Sequence, residues 1–190
     1  MPPMNARPLL VTVATLTLSF TAFAADESLL PAFGAAGTEF TVKAKNDNTT
    51  KGWLPKDWVD NSEWAAVSAT YSKLTDGPKE GLAAVRIKVE KVDEGQLQLT
   101  SWTIPKFKKG VKYTITGWIR SAEGSGIKAG VRQTGEPYEF YAEQDLTADK
   151  EWKPFTFDFS LTEDKEAFVM FTKADPGTVD LAGLVVSEKK

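Results

Sequence analysis

Beyond its N-terminal stretch the chain alternates apolar and polar residues with a period of two. Val85, Ile87 and Val89 oppose Arg86, Lys88 and Glu90, while Phe155, Phe157, Phe159 and Leu161 oppose Thr156, Asp158 and Ser160. Such a pattern buries one face of a strand and wets the other, as antiparallel sheets do. Strands are predicted over Glu39 to Ala44, Ala65 to Ser72, Ala83 to Val92, Gln96 to Trp102, Val111 to Arg120, Ile127 to Gln133, Tyr138 to Ala142, Lys153 to Leu161, Glu166 to Thr172 and Thr178 to Val186. Lys45 to Lys51 reads as a polar loop, and Gly52 to Glu63 as a further loop-like stretch carrying Trp53 and Trp58, with Trp64 just beyond. Turn signals separate the strands: Asp76-Gly77-Pro78, Lys109-Gly110, Glu123 to Gly126, Gly135-Glu136-Pro137 and Asp175-Pro176-Gly177. No segment holds a helical period. The expected fold is all-β, an antiparallel β-sandwich or jelly roll.

The N-terminal segment departs from this pattern. Arg7 precedes an apolar run from Pro8 to Ala22, and Ala22-Phe23-Ala24 has the form of an A-x-A cleavage site. This is the order of a secretory signal peptide, too short in its apolar part to span a bilayer comfortably. Residues 1–24 are therefore expected to be removed, leaving 25–190 as a single exported domain, periplasmic or extracellular, without membrane insertion. The 23 basic and 26 acidic residues give a net charge of −3, and loss of Arg7 makes it slightly more negative. A mildly acidic chain carries no electrostatic footprint for nucleic acid.

Composition then narrows the chemistry. The chain has neither His nor Cys. That removes the Ser-His-Asp triad, the Cys-His pair and zinc sites of His or thiolate type. It also removes disulfides, so stability in an oxidising compartment must come from burial.

The order of motifs resembles the carbohydrate-binding modules of the family 4/9 type, members of the galactose-binding-like jelly-roll superfamily. The resemblance rests on Leu29-Leu30-Pro31-Ala32-Phe33 at the opening, GLAAVRIKV at Gly81 to Val89 and KGVKYTITGWIR at Lys109 to Arg120. Trp152 to Phe159 and the closing GTVDLAGLVV at Gly177 to Val186 complete it. It implies non-catalytic binding of a polysaccharide or oligosaccharide. Many such modules hold a structural calcium near the opening segment and last strand. Here Ala32, Ala35 or Ala36 and Ala182-Gly183 stand at the corresponding positions and supply no side-chain oxygen, while Asp180 is shifted in register. Neither a metal nor another cofactor is expected.

Sugars are held by aromatic faces and by planar polar groups, so a glycan surface should mix Trp or Tyr with Arg and Gln. Strand parity supplies such a set. Gln96, Gln98, Thr100 and Trp102 share one face, Trp118 and Arg120 share another, and Lys128 and Arg132 a third, with Tyr138, Glu139 and Tyr141 following. The candidate ligand-binding residues are Gln98, Trp102, Trp118, Arg120, Arg132, Tyr138 and Tyr141. Convergence of Trp118, Arg120, Arg132 and Gln98 on adjacent strands is expected. For each of them, ordinary core or edge packing, or a structural Arg–Trp stack, is the competing reading. Trp64 is assigned to plugging one end of the sandwich, whereas Trp58 is left open. Asn48-Thr49-Thr50 fits an N-glycosylation acceptor, relevant only in a eukaryotic secretory pathway.

Two other functions fit the same scaffold. One is a structural or adhesive exported protein that binds protein partners through the sheet. The other is a jelly-roll polysaccharide lyase, with Arg120, Arg132, Tyr138 and Tyr141 as the available cations and proton carriers. A retaining glycosidase would need two carboxylates about 5–5.5 Å apart, and no E-x-D-x-E run provides them. Non-catalytic glycan binding explains the export signal, the sandwich and the missing catalytic groups together.

Overall fold

The computed structural model describes residues 28–189, so the predicted signal peptide lies outside the described residues. Thirteen strands follow in chain order: β1 (Gly37–Lys43), β2 (Thr49–Pro55), β3 (Trp58–Asp60), β4 (Ala66–Leu74), β5 (Ala84–Glu94), β6 (Leu97–Ser101), β7 (Lys106–Phe107), β8 (Lys112–Arg120), β9 (Ile127–Gln133), β10 (Phe140–Leu146), β11 (Lys153–Ser160), β12 (Lys165–Lys173) and β13 (Gly177–Glu188). They form a seven-stranded sheet, β1-β2-β4-β5-β13-β8-β11, and a six-stranded sheet in which β10-β9-β12-β6-β3 lie side by side and β7 pairs with β12. Every pairing between these strands is antiparallel except β2 with β4. No helix occurs among the described residues. The fold is a β-sandwich of the jelly-roll kind, as the alternation implied.

Parity decides which residues fill the space between the sheets. Val85, Ile87 and Val89 of β5, with Tyr113, Ile115 and Ile119 of β8, come from one side. Leu97 and Leu99 of β6, Ala129 and Val131 of β9, and Val169 and Phe171 of β12 come from the other. Each is nearly or fully buried. An aromatic cluster at the β8–β11 end reinforces the core, where the Tyr113 and Phe159 rings stack at 5.6 Å and Phe107 meets Tyr113 edge-on at 4.9 Å. Such pairs add about 0.5–1.5 kcal/mol beyond area burial.

The stretches read as loops are corrected. Thr49–Pro55 and Trp58–Asp60 are strands, and Trp58 is a core residue, 4% exposed and edge-on to Phe33. Alternation is weak in β2 because Gly52 sits in it with φ of 121°. A Cβ at Gly52 would run into the backbone of Tyr71 on β4, so glycine permits the parallel β2–β4 approach. Asn48, of the Asn48-Thr49-Thr50 sequence, has a structural role in this fold. It is buried, its amide nitrogen donates to the Lys45 and Asn46 carbonyls and to Asp93, and its oxygen accepts from Ser68.

Asp60 at the end of β3 ties the two sheets together. Its carboxylate accepts from Thr50 Oγ1 on β2 at 3.1 Å, from the Tyr71 hydroxyl on β4 at 2.6 Å, and from the Ser62 amide and hydroxyl at 2.9 and 3.1 Å. Burial pushes the Asp60 carboxyl above its ordinary value, against the lowering effect of the Tyr71, Ser62 and Thr50 bonds. Burial also pushes the Tyr71 phenol up, aided by the adjacent Asp60 charge. Ser62 Oγ accepts in turn from the Gln98 amide at 2.8 Å, which carries this clamp to the middle of the outer sheet face.

Candidate functional site

The outward face of the six-stranded sheet carries a groove of about 630 Å³, within the size range of small-ligand sites. Strand parity builds it: Gln98 of β6, Phe168 of β12, Arg132 of β9 and Phe140 of β10 line it. Phe168 and Phe140 each sit directly across from Arg132 in the strand register. Asn61 and Trp64, on the segment after β3, close one side, and Tyr138, just before β10, closes the other.

Gln98 is the hub. Its Oε1 accepts from Asn61 Nδ2 at 3.0 Å, from Trp64 Nε1 at 3.2 Å and from Arg132 Nη1 at 3.2 Å. Three donors on one oxygen fix the orientation of the amide, because a flipped amide would aim its own N–H groups at them. Gln98 itself is buried, and beyond these three bonds its side chain is left with the Nε2 amino group as its remaining donor, directed away from the three donors on Oε1.

The two aromatic sides are positioned by local backbone. Trp64 is 44% exposed. Its ring lies where a Cβ of Gly95 would stand, 2.8 Å from that position, and Gly95 has φ of 79° in the tight connection between β5 and β6. Tyr138 is 48% exposed and adopts φ of 60°, a left-handed conformation costly for a bulky residue, held by its amide bond to the Gly135 carbonyl at 2.9 Å. The Arg132 guanidinium packs over the Tyr138 ring at 4.8 Å, and its Nε donates to the Tyr138 carbonyl at 3.3 Å. Phe140 reaches inward because Gly130 leaves room for it: a Cβ at Gly130 would lie 2.5 Å from the ring.

Of the residues singled out by sequence, Gln98, Arg132 and Tyr138 come together in this groove. Trp102 lies beyond the end of β6, 72% exposed and outside the lining. Tyr141 falls at the β10 irregularity, packs against the core, and has Lys165 over its ring at 5.7 Å. Trp118 and Arg120 stand on β8 in the opposite sheet, so the expected convergence with Gln98 and Arg132 does not occur.

Arg120 is already occupied there. Asp180 on β13 lies directly opposite Arg120 on one side and Arg86 on the other. Asp180, itself buried, accepts from Arg86 Nε at 2.8 Å and from Arg120 Nη2 at 2.8 Å, while Arg120 Nη1 also reaches Asp76 at 2.8 Å. Its hydrogen bond to Arg120 holds the Asp76 carboxyl below the usual carboxylate value. The Trp152 ring stacks on the Arg120 guanidinium at 4.6 Å, and Lys79 covers Trp118 at 5.2 Å. Asp180 is thus the anion between two guanidinium groups.

Trp64 and Phe140 line the groove without having been among the sequence candidates, and the plugging role expected of Trp64 does not fit its exposure and its place in the groove. The available signal was Gly95, a glycine in the strand connection where a large ring must fit.

The outer face of this jelly-roll sheet thus carries an open groove with aromatic walls and a polar hub, a surface suited to sugar rings. The family model CBM_4_9, described as a carbohydrate binding domain, matches residues 47–178, and the chain belongs to that family. Among curated proteins, none matches the chain. Solved structures share the fold. A CBM4 structure matches with TM-score 0.53 at 17% identity, covering 70% of this chain and 86% of that one. The family 11 carbohydrate-binding module of a cellulosomal cellulase of Clostridium thermocellum gives 0.50 at 12% identity, covering 82% and 97%. The enzymatically active domain of tailspike protein 4 of bacteriophage CBA120 gives 0.55 at 11% identity, covering 70% of this chain but only 20% of that much longer one.

Proposed function

We propose that this carbohydrate-binding domain acts without catalysis, capturing a polysaccharide or oligosaccharide in the groove between Trp64 and Tyr138 after export from the cell. The observation that carries this reading is the arrangement around Gln98. One buried amide holds an exposed indole and an arginine in fixed positions, with a second exposed ring across the groove. Aromatic faces take the C–H surface of sugar rings, and Asn61, Gln96, Gln98 and Thr134 serve the hydroxyls. Pre-ordered side chains of this kind lose little entropy on binding.

The lining of the groove supports the non-catalytic reading. Among the described residues no carboxylate lines the groove, so the acid and base pair of a glycosidase has no counterpart there. Native electrophoresis through gels containing soluble glucans, xylans, mannans or polyuronates tests the reading. Retardation by at least one polysaccharide, without release of reducing ends or unsaturated uronate, is the expected result. Failure of every polysaccharide to slow the protein would remove the reading, and turnover of a retarding polysaccharide would make the domain an enzyme.

A further inference from the structure

The described residues contain three arginines, and two of them are neutralised by carboxylates: Arg86 by Asp180, and Arg120 by Asp180 and Asp76. Arg132 is different. Among the described residues it enters no ion pair; its Nη1 donates to Gln98 and contacts the Met170 sulfur, and its Nε donates to a backbone carbonyl. Its Nη2 group has no protein acceptor there and is not among the buried unpaired atoms, so it stays accessible. Half-burial without a counter-charge pulls the guanidinium below its ordinary value.

The surroundings do not cancel this charge. Glu63, Glu136 and Glu139 neighbour Trp64 and Tyr138 in sequence, yet none lines the groove. Further along the sheet Glu143 is paired with Lys128 at 3.0 Å. Arg132 and Gln98 both line the groove, and their remaining polar groups, Nη2 on the half-buried arginine and Nε2 on the buried amide, are both donors. A positive, donor-rich centre between two aromatic walls is complementary to an anion on a sugar ring.

We propose that the groove selects glycans containing uronic acid, whose carboxylate pairs with Arg132 Nη2 beside the Gln98 amide. This rests on the glycan-binding reading of the same groove and adds the class of sugar. Charge-assisted hydrogen bonds are roughly twice as strong as neutral ones, and stronger in a partly desolvated site. The ring carboxylate is then the feature distinguishing a ligand from its neutral analogue.

The test is calorimetric titration of the protein with oligosaccharides of polygalacturonate, alginate and glucuronoxylan, each also in carboxyl-reduced form, together with neutral glucan and mannan oligosaccharides. At least one acidic oligosaccharide should bind about tenfold more tightly than its reduced form. Arg132→Gln should bring the pair to near equality, whereas Arg132→Lys, which keeps the charge, should retain part of the preference; unchanged thermal unfolding shows that both variants are folded. Equal binding of the acidic and reduced forms, binding of neutral glycans alone, or an undiminished preference in Arg132→Gln would overturn the uronate assignment while leaving the groove a glycan site. No binding of any of these sugars would overturn both.

Discussion

Trp64 Nε1 donates to Gln98 Oε1 over 3.2 Å, although the two residues are 34 positions apart and belong to different segments. The bond places an exposed indole on the rim of a sheet whose polar centre is the same amide. Gln98 is in turn held through its backbone by Ser62, which donates to Asp60. Fold and site are thus joined through one chain of hydrogen bonds, from the clamp between the sheets to the groove wall.

That chain has a pH signature. Asp60 has a raised carboxyl pKa in the folded protein, so its contribution to stability is full below its ordinary unfolded value and is lost as pH rises through the folded value. Asn at this position does not titrate. The stability of the native protein relative to Asp60→Asn should therefore fall as pH rises above the ordinary carboxylate value of about 4. Urea unfolding of both proteins at several pH values measures the difference; a gap that stays constant would show that Asp60 does not titrate abnormally.

Removing the phenol alone isolates one bond of the clamp. Tyr71→Phe deletes the 2.6 Å donor to Asp60 and leaves the aromatic packing in place. The expected loss is about 1.5–3 kcal/mol, the range for a hydrogen bond to a charged group. Chemical denaturation checks it.

Gly130 sets the shape of the groove. Ala there would push the Phe140 ring from its present position, since even a methyl group overlaps it. Overpacking of this kind costs about 1–3 kcal/mol. Glycan affinity should fall in Gly130→Ala although no groove side chain has been removed, and unfolding and binding measured on the same variant would reveal both effects.

The Asp180 network belongs to stability rather than to binding. Asp180→Ala would leave Arg86 and Arg120 without their shared anion on the opposite sheet. Loss of one partner from a buried pair costs about 3–5 kcal/mol, and the half-exposed Arg86 reduces this to about 2–3 kcal/mol. Thermal unfolding should shift downward while glycan affinity below the new transition stays unchanged. Loss of affinity in the still-folded variant would tie the network to the groove.

Much of this was legible from the residues. Period-two alternation revealed nearly all of the long strands, and it put Gln98 and Arg132 on outward faces because parity is a local property. Parity says which face of a strand a residue occupies but not which sheet the strand joins. Trp118 and Arg120 therefore looked like companions of Gln98 and Arg132, although β8 pairs with β11 and β13 in the other sheet. Strands β2 and β3 escaped because Gly52 interrupts the first and the second spans only Trp58–Asp60. Trp64 escaped because its position depends on two distant partners, Gln98 and Gly95, that no local pattern joins.

Two tryptophans, Trp64 beside the groove and Trp118 on β8 of the other sheet, give the most direct test of where the glycan binds. Trp64→Ala and Trp118→Ala should be compared by native electrophoresis in gels containing the polysaccharide that most retards the unaltered protein. The expected result is loss of retardation in Trp64→Ala and unchanged retardation in Trp118→Ala, with both variants folded. Retardation that survives Trp64→Ala and disappears in Trp118→Ala would contradict the groove on the six-stranded sheet as the binding site.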